Sequence, residues 1–477
     1  MKRTVVILTI AILSAGCSAF LDEQPQADLT RAETEQEALG SKYADAAEAQ
    51  AELNGVYALF KADIYEMENF MVGDVMTDNC YVGGDGVNEE QFDKVALTAT
   101  NSLVGVMWSQ YYAIIGAATA VIENVKLMDP DSIAPSAAEK IIAEARFLRA
   151  WACFDVVRLW GDAPLTLELL PSVTAANLDA LYPLMYPPRT GAEAIYDQIL
   201  SDIDDDTVAA LDSYSRGAFR ASKGAAYGLR AKVLATRGPK AERPYDEVAA
   251  LCDKVCDEGY DLVEDFDGLW TVGGKFSSEG IFELLFTSEA EQHNWAYWVL
   301  LSDISGSVSV TWRRYCTPTK ELLARFDKDK DVRYASSFYW TKVPYDTWYP
   351  ANDYPLAYKI RQKDSNIILL RLADILLLKA EALVETGDTR EALRIVNRIR
   401  TRAHIPELDT GLSRDDARLA VENERQLELV LEGQRWYDLV RNGRAVEVLG
   451  IEAFRQLLPV PQSQMDINGS LTQNDGY

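Results

Sequence analysis

Histidine is almost missing from this 477-residue chain, with His293 and His404 the only two. That argues against a Cys/His zinc site. No G-x-S-x-G or H-E-x-x-H motif supplies a nucleophile or a metal. No G-K-S/T follows Gly83, Gly84 and Gly86, so those glycines do not form a phosphate loop. Basic residues are also scarce: 47 Lys and Arg stand against 74 Asp and Glu, a formal charge of -27. Nucleic-acid binding is carried by Lys and Arg, so it is excluded as a main activity. Attachment to anionic lipid through a basic patch is disfavoured for the same reason. Cysteines are few: after Cys17 come Cys80, Cys153, Cys252, Cys256 and Cys316. Five is an odd number and gives no neat disulfide framework, and Cys252 and Cys256, four apart on an expected helix, suit packing positions. No later stretch is read as a transmembrane span, since even the apolar run from Ile375 to Leu378 is bounded by Asp374 and Lys379.

What is present is enough apolar residue, 48% of the chain, to bury a large core as one large domain or two interleaved ones. Lys2 and Arg3 precede an apolar run from Thr4 to Leu13, and small residues Ser14, Ala15 and Gly16 lead into Cys17. This reads as a lipoprotein signal peptide over 1–16, with Cys17 the lipidated residue that anchors the chain to a membrane. Ser14 departs from the usual pattern, which has an aliphatic residue three before the cysteine. Loss of Lys2 and Arg3 takes the charge from -27 to -29. The polar, Pro-containing segment 17–41 reads as a tether.

Helical periodicity predicts helices over Tyr43–Phe60, Trp108–Met128, Ala138–Trp160, Gly191–Leu211, Ser222–Arg237 and Tyr245–Glu258. Ala380 and Ala392, with Leu383 and Gly387 between them, have the spacing by which tetratricopeptide helices pack small residues at crossings. Helical-repeat blocks are therefore expected over 42–260 and 366–477. Between them, 261–365 is loop-rich and holds six of the ten tryptophans: Trp270, Trp295, Trp298, Trp312, Trp340 and Trp348. Flat aromatic faces suit the C–H faces of sugar rings, and Trp295, Trp298, Tyr339 and Trp340 are the expected stacking residues. The competing reading places these rings in the core.

The stretch Glu424–Arg441, E-R-Q-L-E-L-V-L-E-G-Q-R-W-Y-D-L-V-R, lays charges along an apolar seam, as two helices joined by a tight turn. Glu424, Glu428 and Glu432 recur every fourth residue, and Arg425 and Arg435 stand at helical neighbour spacing from Glu428 and Asp438. This is expected to be a structural ion-pair network. The run resembles the C-terminal signature of the SusD/RagB family of surface nutrient-binding lipoproteins. Glu144–Pro164 (E-A-R-F-L-R-A-W-A-C-F-D-V-V-R-L-W-G-D-A-P), Arg371–Ala382 (R-L-A-D-I-L-L-L-K-A-E-A) and the tail Pro459–Tyr477 resemble the same family in the same order. At Thr119 the family usually has Asn, so an amide that braces a helix pair is replaced.

The resemblance implies a mainly α fold: a tetratricopeptide-like helical-repeat scaffold with an irregular insert carrying short strands, a SusD-like α-α superhelix. It implies a non-catalytic protein of the outer membrane that faces the cell exterior, binds a glycan and hands it to a SusC-like TonB-dependent transporter. Asp22 and Glu23 resemble an acidic surface-export signal. The Gly-rich loop 76–90 is expected to stand exposed, and by resemblance Asn79 and Tyr81 join the ligand site, with a solvated turn as the alternative. Three other readings stay open: a peptide-binding RagB-like homologue, a secreted glycoside hydrolase whose carboxyl separation sequence cannot show, and a helical-repeat scaffold without a small ligand. No cofactor is expected, and whether calcium orders the carboxylate-rich loops stays open.

Overall fold

The structure, a computed structural model, describes residues 40–217, 219–287, 292–294, 313–342, 348–350, 352–359 and 361–477. Helix α1 (Ala46–Leu59) starts where the Asp45 carboxylate accepts from the backbone N–H groups of Ala47 and Glu48. Two π-helical turns, Ile64–Glu68 and Met71–Val75, lead to β1 (Cys80–Tyr81) and α2 (Val87–Asp93). Then come α3 (Ser102–Lys126) and α4 (Pro135–Trp160), which pack side by side, followed by α5 (Leu178–Met185), α6 (Ala192–Asp202), α7 (Asp205–Ala210), α8 (Lys223–Leu234) and α9 (Tyr245–Asp257). The middle of the chain supplies β2 (Gly280–Leu284), β3 (Thr317–Pro318), α10 (Lys320–Leu323), α11 (Val332–Ser337), β4 (Phe338–Thr341), β5 (Tyr354–Ala357) and β6 (Ile367–Arg371). These form three two-stranded antiparallel ribbons, β1 with β3, β2 with β6 and β4 with β5. The C-terminal helices are α12 (Leu372–Thr386), α13 (Thr389–Arg402), α14 (Arg414–Glu428), α15 (Arg435–Arg441), α16 (Ala445–Leu449) and α17 (Gln462–Ile467). Helix α9 packs on both α8 and α12, and α12 on α13 and α14, so the late helices stack onto the early ones. Ala380 and Ala392 are fully buried, and Gly387 at φ +99° turns α12 into α13. The fold is mainly α.

Three local readings need correction. Helix α3 starts six residues before Trp108, because Asn101 Oδ1 accepts from Leu103 N at 3.0 Å and Val104 N at 3.4 Å. The helix expected over Gly191–Leu211 breaks at Ile203, and the Asp204 carboxylate caps a new one through Thr207 N at 2.8 Å. No residue is charged from Ser102 to Ile122, and α3 is long and apolar enough to cross a membrane. Its residues Val104, Trp108, Tyr111, Ile115 and Ile122 are instead buried against the protein core. Thr119 takes over the bracing role of the absent amide: its Oγ1 accepts from Arg149 Nη1 at 3.1 Å, while Arg149 clasps Asp202 at 2.8 and 2.7 Å.

The family-like stretches meet one another in space. Trp160 Nε1 donates to Pro459 O at 3.0 Å, and Asn474 Nδ2 donates to Trp160 O and Leu458 O at 3.1 and 2.7 Å, so the tail is laced to the end of α4. Arg158 lies between the rings of Phe154 and Tyr437, 4.1 and 3.8 Å from their centroids, joining α4 to α15.

Glu428 is wholly buried at the end of α14. Its Oε1 accepts from Arg371 at 2.6 Å and from Arg402, and its Oε2 accepts from Arg333 at 3.1 Å. Arg371 also forks onto both oxygens of Glu432 at 2.6 and 2.7 Å and reaches Glu279 at 2.7 Å, while Lys359 bonds Glu432 at 2.6 Å. Glu424 takes Arg333 and Arg400 at 2.7 and 2.9 Å, and Arg333 holds Asp331 at 2.8 Å. Arg333, Lys359, Arg371, Arg400 and Arg402 balance Glu279, Asp331, Glu424, Glu428 and Glu432, five against five. Phe266 and Trp270 roof this lattice, with Lys359 4.6 Å from the Trp270 ring centroid. A second set on α8, α12, α14 and α15 balances Lys232, Arg425 and Arg441 against Asp374, Glu381 and Asp438. The expected within-helix pairs are replaced by tertiary ones: Arg425 binds Asp374 and Asp438, and Arg435 binds Asp78 at 2.8 Å.

Between α14 and α15, Leu431 and Gly433 both take positive φ, +63° and +71°. For leucine that conformation costs on the order of 1–2 kcal/mol. The Asp74 carboxylate holds the turn, accepting from Leu431 N at 3.0 Å, Gly433 N at 2.9 Å and Asn79 Nδ2 at 2.8 Å. A Cβ on Gly73 would lie 2.2 Å from the Gly433 backbone, so only glycine allows the approach. Burial pushes the Asp74 carboxyl up to about 6, against the pull of those donors.

Two measurements check these constraints. Arg371→Met leaves Glu279, Glu428 and Glu432 one positive charge short and is expected to lower unfolding free energy by about 3–5 kcal/mol in urea titrations. Asp74 binds its proton more tightly folded than unfolded, so its contribution to stability is greatest below pH ~4 and is lost as pH rises to ~6. Relative to Asp74→Asn, the wild type should lose about 3 kcal/mol of unfolding free energy across that window, at about 1.36 kcal/mol per pKa unit.

Candidate functional site

The segment Met76–Val82, expected to stand exposed, is packed inside the protein apart from the half-buried Asp78. Both termini of β1 are held. Thr319 N donates to Asn79 O at 2.9 Å, Thr319 Oγ1 donates to Asp78 O at 2.8 Å, and Gly83 N donates to Arg314 O at 2.9 Å. Asn79 is fully buried, donating to Asp74 and accepting from Gln426 Nε2 at 2.9 Å. Asp78 receives Arg435 at 2.8 and 3.0 Å. Burial pushes its carboxyl up, but the Arg435 guanidinium outweighs this and holds it below the usual carboxylate range. A Cβ on Gly83 would sit 2.4 Å from Tyr354 Oη and 2.5 Å from Thr317 Oγ1, so a larger residue there has to displace both side chains.

This anchorage sets Tyr81 into a cluster of rings. Its ring stacks on Trp348, centroids 4.7 Å apart and planes 30° apart, with Tyr349 at 6.5 Å. Trp340 on β4 meets Tyr349 edge-on at 6.1 Å, and its Nε1 donates to Tyr334 Oη at 3.1 Å. Tyr349 Oη donates to Pro318 O at 2.8 Å, and the Arg314 guanidinium lies 5.1 Å from the Tyr354 centroid. Tyr339 stands in a separate group, tilted on Tyr358 at 5.2 Å, with Arg361 4.4 Å from Tyr358 on its ring face. Of these rings, Trp348, 53% exposed, and Tyr339, 40%, present large open surface. Tyr81, at 8%, is the buried backing of Trp348. A buried ring whose backbone is held on both sides by hydrogen bonds, backing an open indole, makes a stiff apolar platform, with tyrosine hydroxyls and a guanidinium nearby to meet polar groups.

The structure thus brings Tyr81 and Trp340 together through Tyr349 and leaves Tyr339 in its own group. Trp295 and Trp298, like Cys17, lie outside the described residues. Trp348 was not singled out by sequence reasoning. The signal lay in its surroundings, the turn-rich run T-W-Y-P-A-N-D-Y-P, which puts an aromatic residue on a loop. Glu424, Arg425, Glu428, Glu432, Arg435 and Asp438 are all held in the ion lattices described above. Among the described residues no group of three or more His, Cys, Asp or Glu side chains could hold a metal ion. Asp74, with its raised carboxyl, is sealed against a backbone turn and faces no open surface.

Comparison with known proteins gives a consistent picture. A family model described as "SusD family" matches residues 329–456, and one described as "Starch-binding associating with outer membrane" matches residues 19–234. The chain is similar to SusD-like protein P2 of Formosa agariphila, 27% identical over 100% of this chain and 99% of that one. It is also similar to a SusD-like protein of Bacteroides ovatus, 26% identical over 92% and 82%. Among solved structures, a laminarin binding SusD-like protein superposes with a TM-score of 0.74 at 22% identity, covering 91% of this chain and all of that one. Surface glycan-binding protein A of Bacteroides thetaiotaomicron, solved with laminarihexaose, gives 0.74 at 19% identity over 90% and 99%.

Gly83→Ala probes the anchorage. The added methyl has to displace Tyr354 and Thr317, and a loss of about 1–3 kcal/mol in unfolding free energy is expected, as for other overpacked sites. Near-ultraviolet circular dichroism should change with it, since that signal reports the packing of the ring cluster.

Proposed function

Because the chain belongs to the SusD/RagB family, we propose that it is a non-catalytic glycan-binding lipoprotein. In this reading it is anchored through Cys17 to the outer membrane, faces the cell exterior and delivers captured saccharide to a SusC-like TonB-dependent transporter. The observation that carries the proposal is Trp348, half exposed and stacked on the buried Tyr81 at 4.7 Å. A sugar ring lying on that indole loses little entropy to side-chain ordering, because the platform is already fixed. Tyr339, Trp340, Trp295 and Trp298 of the same insert are kept as further stacking residues, while Asn79 positions the loop rather than meeting the ligand. The relatives named for laminarin and laminarihexaose support a β-glucan as the first ligand to try. The sealed environment of Asp74 supports binding without catalysis.

The test is calorimetric titration of protein lacking residues 1–17 with laminarin, other plant, microbial and host polysaccharides, and peptides. The expected result is a saturable glycan response that weakens at least tenfold in Trp348→Ala, about 1.4 kcal/mol, and falls in one or more of Tyr339→Ala, Trp340→Ala, Trp295→Ala and Trp298→Ala, with no reducing ends released. A peptide response with silence across the glycans would move the assignment to a RagB-like peptide binder. Release of reducing sugar would make the protein a hydrolase.

A further inference from the structure

We propose that the protein carries a second saccharide site, separate from the Trp348 platform and built on Tyr339, Tyr358, Arg361 and Asp267, so that one chain holds two β-glucan segments at once; this rests on the glycan-binding function proposed above. Neighbouring side chains of a strand point to opposite faces, so Tyr339 and Trp340 leave β4 on different sides. Trp340 turns towards Tyr349 and Tyr334, beside the platform. Tyr339 pairs with Leu356 of β5, and Tyr358, two residues further on, meets the Tyr339 ring diagonally, with centroids 5.2 Å and planes 35° apart. The open ring of Tyr339 is thus backed by a second ring, as Trp348 is backed by Tyr81.

Polar groups are fixed beside this pair. The Arg361 guanidinium lies 4.4 Å from the Tyr358 centroid, and its Nη1 donates to Ser336 O and Tyr358 O, both at 3.4 Å. Its Nη2 donates to Asp267 Oδ2 at 2.7 Å. The turn that follows Asp267 is tied to the same segment, where Val272 N donates to Gln362 Oε1 at 2.5 Å. The Asp267 side chain is 54% exposed, and its Oδ1 has no hydrogen-bond partner among the described residues. A pyranose needs an apolar surface for its C–H face and acceptors for its hydroxyls. Tyr339 supplies the first and Asp267 Oδ1 the second, while Arg361 is a positioning residue that holds the carboxylate by its other oxygen. The Asp267–Arg361 pair is neutral in sum, which suits an uncharged glucan. With two sites on one chain, a polysaccharide long enough to reach both makes its second contact intramolecularly and binds more tightly than a short oligosaccharide.

Native mass spectrometry of the full mature chain counts the laminarihexaose molecules bound per chain. The expected result is two in the wild type, one in Tyr339→Ala and one in Trp348→Ala. Asp267→Asn keeps the side-chain shape and is expected to weaken the second site about tenfold while leaving the first unchanged. Calorimetry with laminarin gives the second readout: its affinity should fall at least about tenfold in Tyr339→Ala, because bridging is lost. One hexaose per chain in the wild type, or two in Tyr339→Ala, would overturn the second site. If that single hexaose is lost in Trp348→Ala, the glycan-binding function stands without it. Silence towards both laminarihexaose and laminarin would overturn the second site together with the β-glucan reading.

Discussion

Charge can be buried in this protein only because it is neutral in sum. The ten groups around Glu428 come from the C-terminal helical block and from the insert before it, and each guanidinium is matched to specific carboxylate oxygens. Such a lattice contributes little net stability over apolar packing, since desolvation consumes most of the Coulomb attraction. Its effect is selective. A one-residue slip of α14 would leave several charges unmatched at once, and an unmatched buried charge is far more costly than a matched one. Short helices with interchangeable apolar faces thereby dock in one register, and the insert, through Glu279, Asp331 and Lys359, is held in the same arrangement.

This also explains what could be read from the chain. The run Glu424–Arg441 was legible because a charge lattice on an apolar seam is dense and periodic, and its partner residues Arg371 and Asp374 lie in another of the family-like stretches. Its pairing was not legible. Arg425 and Arg435 stand at helical spacing from Glu428 and Asp438, yet the left-handed turn at Leu431 and Gly433 redirects them to Asp374, Asp438 and Asp78. Capping shifted element ends in the same way. Asn101 and Asp204 start helices by side-chain bonds that apolar periodicity does not register.

The candidate site was harder to read for a related reason. Gly83, Gly84 and Gly86 look like the signature of an open loop, but at Gly83 the absence of a Cβ permits contact with Tyr354 and Thr317 rather than freedom. Asn79, polar in a glycine-rich run, turns out to be an internal bracket between Asp74 and Gln426. The ring that the scaffold leaves open is Trp348, on the insert, and the ring that backs it is Tyr81, from the first block. A platform assembled from two distant stretches has no local sequence signature.

The grip of Asp74 on the turn at Leu431–Gly433 has a consequence for the order in which a nascent chain can mature. The acceptor is made early and its backbone donors come more than 350 residues later. Until those donors emerge, a sealed carboxylate has nothing to bond except Asn79, and the close approach of Gly73 to Gly433 has no second surface. Docking of the turn Met71–Val75 is therefore deferred to the end of synthesis. Such delay keeps a polypeptide threadable, which suits one that must cross a lipid bilayer before it becomes a rigid body.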